Sequence, residues 1–158
     1  MPNWCVGTLK VRGSKENIIN FLKNGFTPVT WMGTDIPMKV VEEEYSFTIS
    51  CDDKFHGFHV KGTHRNFIES KEIEFEHWDE DNETHVLILE DYKAAWGIEA
   101  EPLAELSKEY QLDFRLYAFE RGMEFNQEIE IHKGKIIKDV EIKFDDYAWE
   151  CINPSLGG

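Results

Sequence analysis

Met1-Pro2-Asn3-Trp4-Cys5-Val6-Gly7-Thr8-Leu9-Lys10-Val11-Arg12-Gly13 opens the chain, and its alternation governs how the rest is read. Successive side chains of a strand point to opposite faces. Cys5, Leu9 and Val11 therefore share one face, while Trp4, Val6, Thr8, Lys10 and Arg12 share the other. The first set is expected to meet the core. Gly13-Ser14 breaks the strand, Ser14 is placed to cap a helix, and Ile18, Ile19, Phe21 and Leu22 form an apolar stripe that stops at Asn24-Gly25. The chain thus begins as a strand followed by a helix.

Outward from that unit, residues 26–65 read as an irregular insertion, interrupted by Pro28 and Pro37 and holding one convincing strand from Tyr45 to Cys51. Alternation returns at Ile73 and Phe75 against Glu72, Glu74 and Glu76. After the acidic turn Asp79-Glu80-Asp81-Asn82 comes the apolar run Val86 to Leu89, and the two segments read as a hairpin. Pro102, Leu103, Leu106 and Tyr110 have helical spacing, with Pro102 near the first turn. Leu112, Phe114, Leu116 and Ala118 alternate in the next strand. Ile129 and Ile131, the turn Lys133-Gly134, and then Val140, Ile142 and Phe144 make a final hairpin over about residues 124–145. The expected fold class is α+β, a ferredoxin-like βαββαβ sandwich with an antiparallel sheet and helices on one face. Residues 1–158 are read as a single domain carrying the insertion and an added C-terminal hairpin.

Several landmarks resemble the YubB ferredoxin-like domain family of phage and plasmid proteins. The opening Met-Pro-Asn-Trp-Cys is the strongest, and Gly122-Met123-Glu124-Phe125 resembles the family's Gly-Met-x-Phe bend. Ile36-Pro37-Met38 resembles its Ile-Pro-Met-Pro segment, with Lys39 in place of the second Pro. Trp96 stands where the family has Trp-Ser-Pro-Pro, here continued as Gly97-Ile98-Glu99, and Leu106-Ser107 with Tyr110 resemble the helix that follows. The resemblance implies a ferredoxin-like fold and a mobile-element origin. It supplies no catalytic residue.

The chain has 158 residues, 41% hydrophobic and 13% aromatic, enough for a globular core without disulfide or metal staples. Cys5, Cys51 and Cys151 are odd in number and widely spaced, and no signal-peptide apolar region precedes Asn3, which points to a reducing cytoplasm. No apolar run approaches a membrane span. The net charge of -14 is unevenly spread: residues 1–65 carry +1 and residues 66–158 carry -15. Nine carboxylates and no Lys or Arg lie between Glu72 and Asp91, a field that repels phosphate backbones and anionic lipid. Direct nucleic-acid binding is therefore not expected.

Few groups suggest chemistry. Cys51, His56, His59 and His64 fall within fourteen residues, and a thiolate with imidazoles would suit zinc. Their spacing is loose, with no Cys-x-x-Cys pair, so no metal is assigned. Glu72, Glu74 and Glu76 could bind Mg²⁺ or serve as acid and base, yet their alternation is also what a solvated strand face requires. The same holds for Glu128, Glu130 and His132. Pro2 would become a prolyl base only after loss of Met1, and Phe55, Phe58 and Val60 lack the basic lining of an RNA platform. No phosphate loop or nucleophile elbow is present, and no catalytic residue or cofactor is nominated.

The expected function is that of a non-enzymatic protein-binding module acting through Glu72, Glu74, Glu76, Asp79, Glu80 and Asp81. Its partner would be a basic host protein, and one version is a DNA mimic. The alternatives are a metal-dependent enzyme built from the insertion histidines or strand carboxylates, and a structural role in which the added hairpin pairs edge to edge with another copy.

Overall fold

The strand read from the opening residues runs from Trp4 to Gly13 (β1) at the centre of a large antiparallel sheet. The computed structural model describes residues 1–51, 55–79 and 81–158. Cys5, Leu9 and Val11 are fully buried, as the alternation requires. Gly7 belongs to the same face, and a Cβ there would lie 2.0 Å from the Tyr117 carbonyl oxygen, so glycine lets the neighbouring strand close in. Ser14 caps the first helix (α1, Lys15–Asn24) by accepting from the Asn17 amide at 3.2 Å.

The four-stranded βαββαβ sandwich expected from the sequence is not the observed architecture. Strands make up 48% of the chain and helices 16%, in an eight-stranded antiparallel sheet, a separate three-stranded sheet and three short helices. Much of the excess comes from residues 26–65. They form β2 (Phe26–Thr30), β3 (Lys39–Glu42), β4 (Ser46–Ser50) and β5 (Phe55–Val60), followed by β6 (Asn66–Ile68). These strands are short and broken by proline, which hides their period. Pro28 is tolerated because β2 is the outermost strand of the large sheet, where one edge needs no partner.

The expected hairpin before the second helix is also replaced. β7 (Glu72–Glu76) pairs with β4, whereas β8 (His85–Ala95) pairs with β1. The two runs are neighbours in sequence but enter different sheets. A stretch of eight residues, 77–84, is too long to impose hairpin register, and the His77 amide extends the β4 pairing by donating to the Tyr45 carbonyl at 2.9 Å. Alternation fixes which face a strand buries and leaves its partner open.

After β8 come α2 (Ala100–Tyr110), β9 (Asp113–Glu120), β10 (Phe125–His132), β11 (Lys135–Lys143) and α3 (Tyr147–Glu150). The large sheet runs β11-β10-β9-β1-β8-β6-β5-β2, and the small one β3-β4-β7. The β10–β11 turn is the two residues Lys133 and Gly134, both at positive φ. Between Gly7 and Leu9 the register with β8 shifts, so the core-facing residues of β8 change from Leu87 and Leu89 to Tyr92 and Ala94.

α1 and α2 pack against the face that carries Leu9 and Leu116. Phe21 anchors this layer, with ring centroids 4.8 Å from Phe26, 5.3 Å from Tyr110 and 5.4 Å from Phe114. Each such side chain contributes about 1.5–3 kcal/mol on burial. The inner face of the small sheet, Phe47, Ile49, Ile73 and Phe75, joins the same core. Residues 144–158 return along the other face of the large sheet. Tyr147 donates to Asn126 Oδ1 at 3.1 Å, and the Gly158 amide donates to the Trp4 carbonyl at 2.9 Å. Among the described residues no helix is long and apolar enough to cross a membrane.

Candidate functional site

Two regions hold exposed, chemically distinctive side chains. The first is the outer face and turn of the small sheet. β7 buries Ile73 and Phe75, so alternation turns Glu72, Glu74 and Glu76 outward in one exposed row. Register places Glu76 opposite Ser46, beside Tyr45. Trp78, 68% exposed, stacks on Tyr45 with centroids 5.2 Å apart and planes 16° apart, and its indole N–H donates to Glu76 Oε2 at 3.1 Å. Among the described residues no lysine or arginine lies within ion-pair distance of Glu72, Glu74 or Glu76.

Asp79 and Asp81 lie exposed in the turn that follows, whereas Glu80 lies outside the described residues. Behind this turn is a cavity of ≈ 320 Å³ lined by Lys15, Glu16, His77, Asp79, Glu83 and His85, among others. His77 is only 3% exposed, and neither ring nitrogen has a hydrogen-bond partner among the described residues. Such an orphaned donor or acceptor costs roughly 1–3 kcal/mol.

Tyr45, Trp78 and the exposed run Glu42-Glu43-Glu44 are the parts of this region that sequence reasoning missed. The lysines and arginines of residues 1–65 cancelled the glutamates in the charge count. The signal was the triplet itself, standing directly before an aromatic.

The second region surrounds the opening residues. Trp4 is T-shaped to Phe67 at 6.2 Å, and Lys93 Nζ lies 4.7 Å from the Trp4 ring centroid while pairing with Glu69 at 2.9 Å. The guanidinium carbon of Arg65 lies 5.6 Å from the Trp4 ring and 5.3 Å from the Trp96 ring. Asn3 accepts the Trp96 amide at 2.8 Å through its carbonyl. The Cys5 thiol donates to Gln127 Oε1 at 3.6 Å, and Gln127 holds Ile98 through both backbone groups, at 2.8 and 3.0 Å. Burial first, and then the Glu120 carboxylate, push the Cys5 thiol up to about 12. Cys5 is therefore inert as a nucleophile.

Glu120 is fully buried, and its two oxygens accept from the amides of Gly122 and Met123 at 2.7 and 2.8 Å. The Gly-Met-x-Phe bend is thus folded around a carboxylate. Gly122 lets the side chains of Asn3 and Glu120 approach closely, and a Cβ there would force them to shift. The positive φ belongs to Glu124.

The remaining sequence candidates are spread out. Cys51 follows β4 in the small sheet, and His59 lies in β5 with Nε2 donating to the Thr63 carbonyl at 3.0 Å. His64 lies in the turn beyond, and the side chain of His56 lies outside the described residues. Among the described residues no three His, Cys, Asp or Glu side chains are grouped to hold a metal ion. Glu128 instead pairs with Lys138 at 2.9 Å, and Glu130 with His132 at 3.2 Å. Comparison with known proteins finds no matching family model and no significant match among curated proteins or solved structures, so the likeness to the YubB family rests on the sequence landmarks alone.

Proposed function

We propose that the protein is a non-enzymatic binding module whose outer small-sheet face receives a basic segment of a partner protein. The observation that carries this reading is the Trp78–Tyr45 stack set beside the exposed row Glu72, Glu74 and Glu76, which has no ion pair among the described residues. Carboxylates attract lysine and arginine from a distance and orient their approach. An exposed indole supplies what carboxylates alone lack, a flat apolar surface and a cation–π face worth about 0.5–2 kcal/mol. Tryptophan and tyrosine commonly anchor interfaces for this reason.

Charge density separates this reading from a mimic of duplex DNA. Alternate residues of a strand recur every ~6.8 Å, whereas duplex DNA carries one charge per ~1.7 Å of its axis. The row is too sparse to stand in for a duplex. It suits a few cationic side chains on an extended segment, with the exposed Glu43, Glu44, Asp79 and Asp81 in the turns that flank β4 and β7.

The test is a calorimetric titration with an arginine-rich peptide in low and high salt, on the intact protein and on Trp78→Phe and Trp78→Ala. The expected result is saturable binding that weakens with salt, persists in Trp78→Phe and weakens about tenfold in Trp78→Ala. Binding unchanged in Trp78→Ala would remove the aromatic anchor from the account.

A further inference from the structure

We infer that the partner's basic segment is held as an added β-strand along the free edge of β7, with lysine or arginine at every second position and apolar residues between. The inference rests on the binding-module reading above and specifies the conformation and side-chain pattern of what is bound. β7 is the outermost strand of the small sheet, with β4 as its neighbour. The His77 amide donates to the Tyr45 carbonyl, so this pair is hydrogen-bonded, and two-residue steps along the ladder place Phe75 and Ile73 in the same class. Glu72, Glu74 and Glu76 fall between them and turn their N–H and C=O groups away from β4. At Glu72 these groups are covered, since the Ser70 hydroxyl donates to its carbonyl at 2.7 Å and accepts from its amide at 3.3 Å. The backbone of Glu74 and Glu76 has no such cover among the described residues.

That edge borders a groove whose far wall is β8. β6 pairs with β8 at Tyr92, Lys93 and Ala94, and the Glu69 amide reaches the Asp91 carbonyl at 2.9 Å. From His85 to Glu90 no described strand lies on that side of β8. A cavity of ≈ 250 Å³ is lined from both strands. Ile68, Ile73 and Leu89, all buried, contribute to it together with the half-exposed Ile88. Its charged lining is Glu72, Glu74, Glu90 and Asp91, with no lysine or arginine.

The pleat decides what fits. A residue placed opposite Glu74 on an added strand shares its outward face, so a cationic side chain there meets the carboxylate row. Intervening side chains turn inward toward Ile73 and Leu89, where apolar groups belong. A second copy of β7 is a poor occupant. Antiparallel pairing sets residues of one face opposite each other, so every two-fold register of β7 with itself puts glutamate against glutamate, and like charges directly opposite repel. The glutamates thus guard the edge against self-pairing and leave it open to a cationic strand.

The test uses the peptide Arg-Val-Arg-Val-Arg-Val-Arg and the same peptide N-methylated at its arginine amides, which keeps the charge and side chains and removes the N–H groups that would face β7. Calorimetry on the unaltered protein gives the affinities, and amide hydrogen exchange read by NMR follows Glu74. The expected result is that the unmethylated peptide binds about tenfold or more tightly than the methylated one and slows exchange of the Glu74 amide about tenfold or more. The Ile73 and Phe75 amides, already bonded to β4, should change little. Equal affinities, or a Glu74 amide whose exchange is unchanged when peptide binds, would overturn the added strand and leave the acidic face as a docking surface for a basic segment in another conformation. Failure of both peptides to bind would overturn the binding-module reading as well.

Discussion

The small sheet and the Trp4–Arg65–Trp96 cluster handle charge in opposite ways. On the small sheet, Glu72, Glu74 and Glu76 lie in a row without cationic partners among the described residues, and the Trp78–Tyr45 stack stands at the end of the row. Around the opening residues a single guanidinium is held between two rings. Glu72 and Glu74 are turned outward by the pleat, and Glu76 is held further by the Trp78 indole, whereas Arg65 lies against two rings on a backbone of positive φ. The first arrangement leaves its charges exposed to solvent, and the second holds its charge against aromatic faces.

The largest effect should come from detaching the small sheet. Phe47 and Phe75 join it to the core, and Phe75→Ala should lower stability by about 3–5 kcal/mol in urea unfolding. A loss below about 1 kcal/mol would mean the sheet stands apart from the core. Next in size is alkaline destabilisation centred on β1. Burial raises the Cys5 thiol from 9.0 to about 12 and raises the Tyr92 hydroxyl above its usual range. The folded state therefore holds protons that the unfolded chain releases. The resulting contribution to stability is fully present below about pH 9 and is lost as pH rises toward 12. Unfolding midpoints in urea should fall steadily above pH 9, and the fall should be shallower in Cys5→Ala. A flat profile in the parent protein would show these groups to be solvated.

How far the sequence carries differs between the same two regions. The faces of β1, the Ser14 cap, the α1 stripe and the Lys133-Gly134 turn were legible because each is set by local chemistry. Strand partners were not. Ile73 and Phe75 alternate equally well beside β8 or β4, and only the packed chain chooses β4. The acidic row was visible as a pattern, yet Tyr45 joins Trp78 through pairing between distant segments. Arg65 gave no signal, because its meaning depends on Trp4 and Trp96, which lie 61 residues back and 31 residues on.

A smaller effect is expected at His77. Its ring nitrogens lack partners among the described residues, so His77→Phe should raise stability by about 1 kcal/mol. Loss of stability instead would show that a partner beyond the described residues satisfies the ring. The smallest stability change should follow Glu72→Gln, Glu74→Gln and Glu76→Gln together, within about 0.5 kcal/mol of the parent, because exposed substitutions away from packed features are nearly neutral. Its effect should fall on binding.

That triple variant also gives the most direct test, when set against Glu101→Gln, Glu105→Gln and Glu109→Gln on the exposed face of α2. Both variants remove three negative charges, so calorimetric titration of an arginine-rich peptide separates position from net charge. The β7 variant should lose about tenfold or more in affinity and the α2 variant less than about threefold. Equal losses would contradict it, and the small-sheet face would then be no more than part of a diffuse acidic surface.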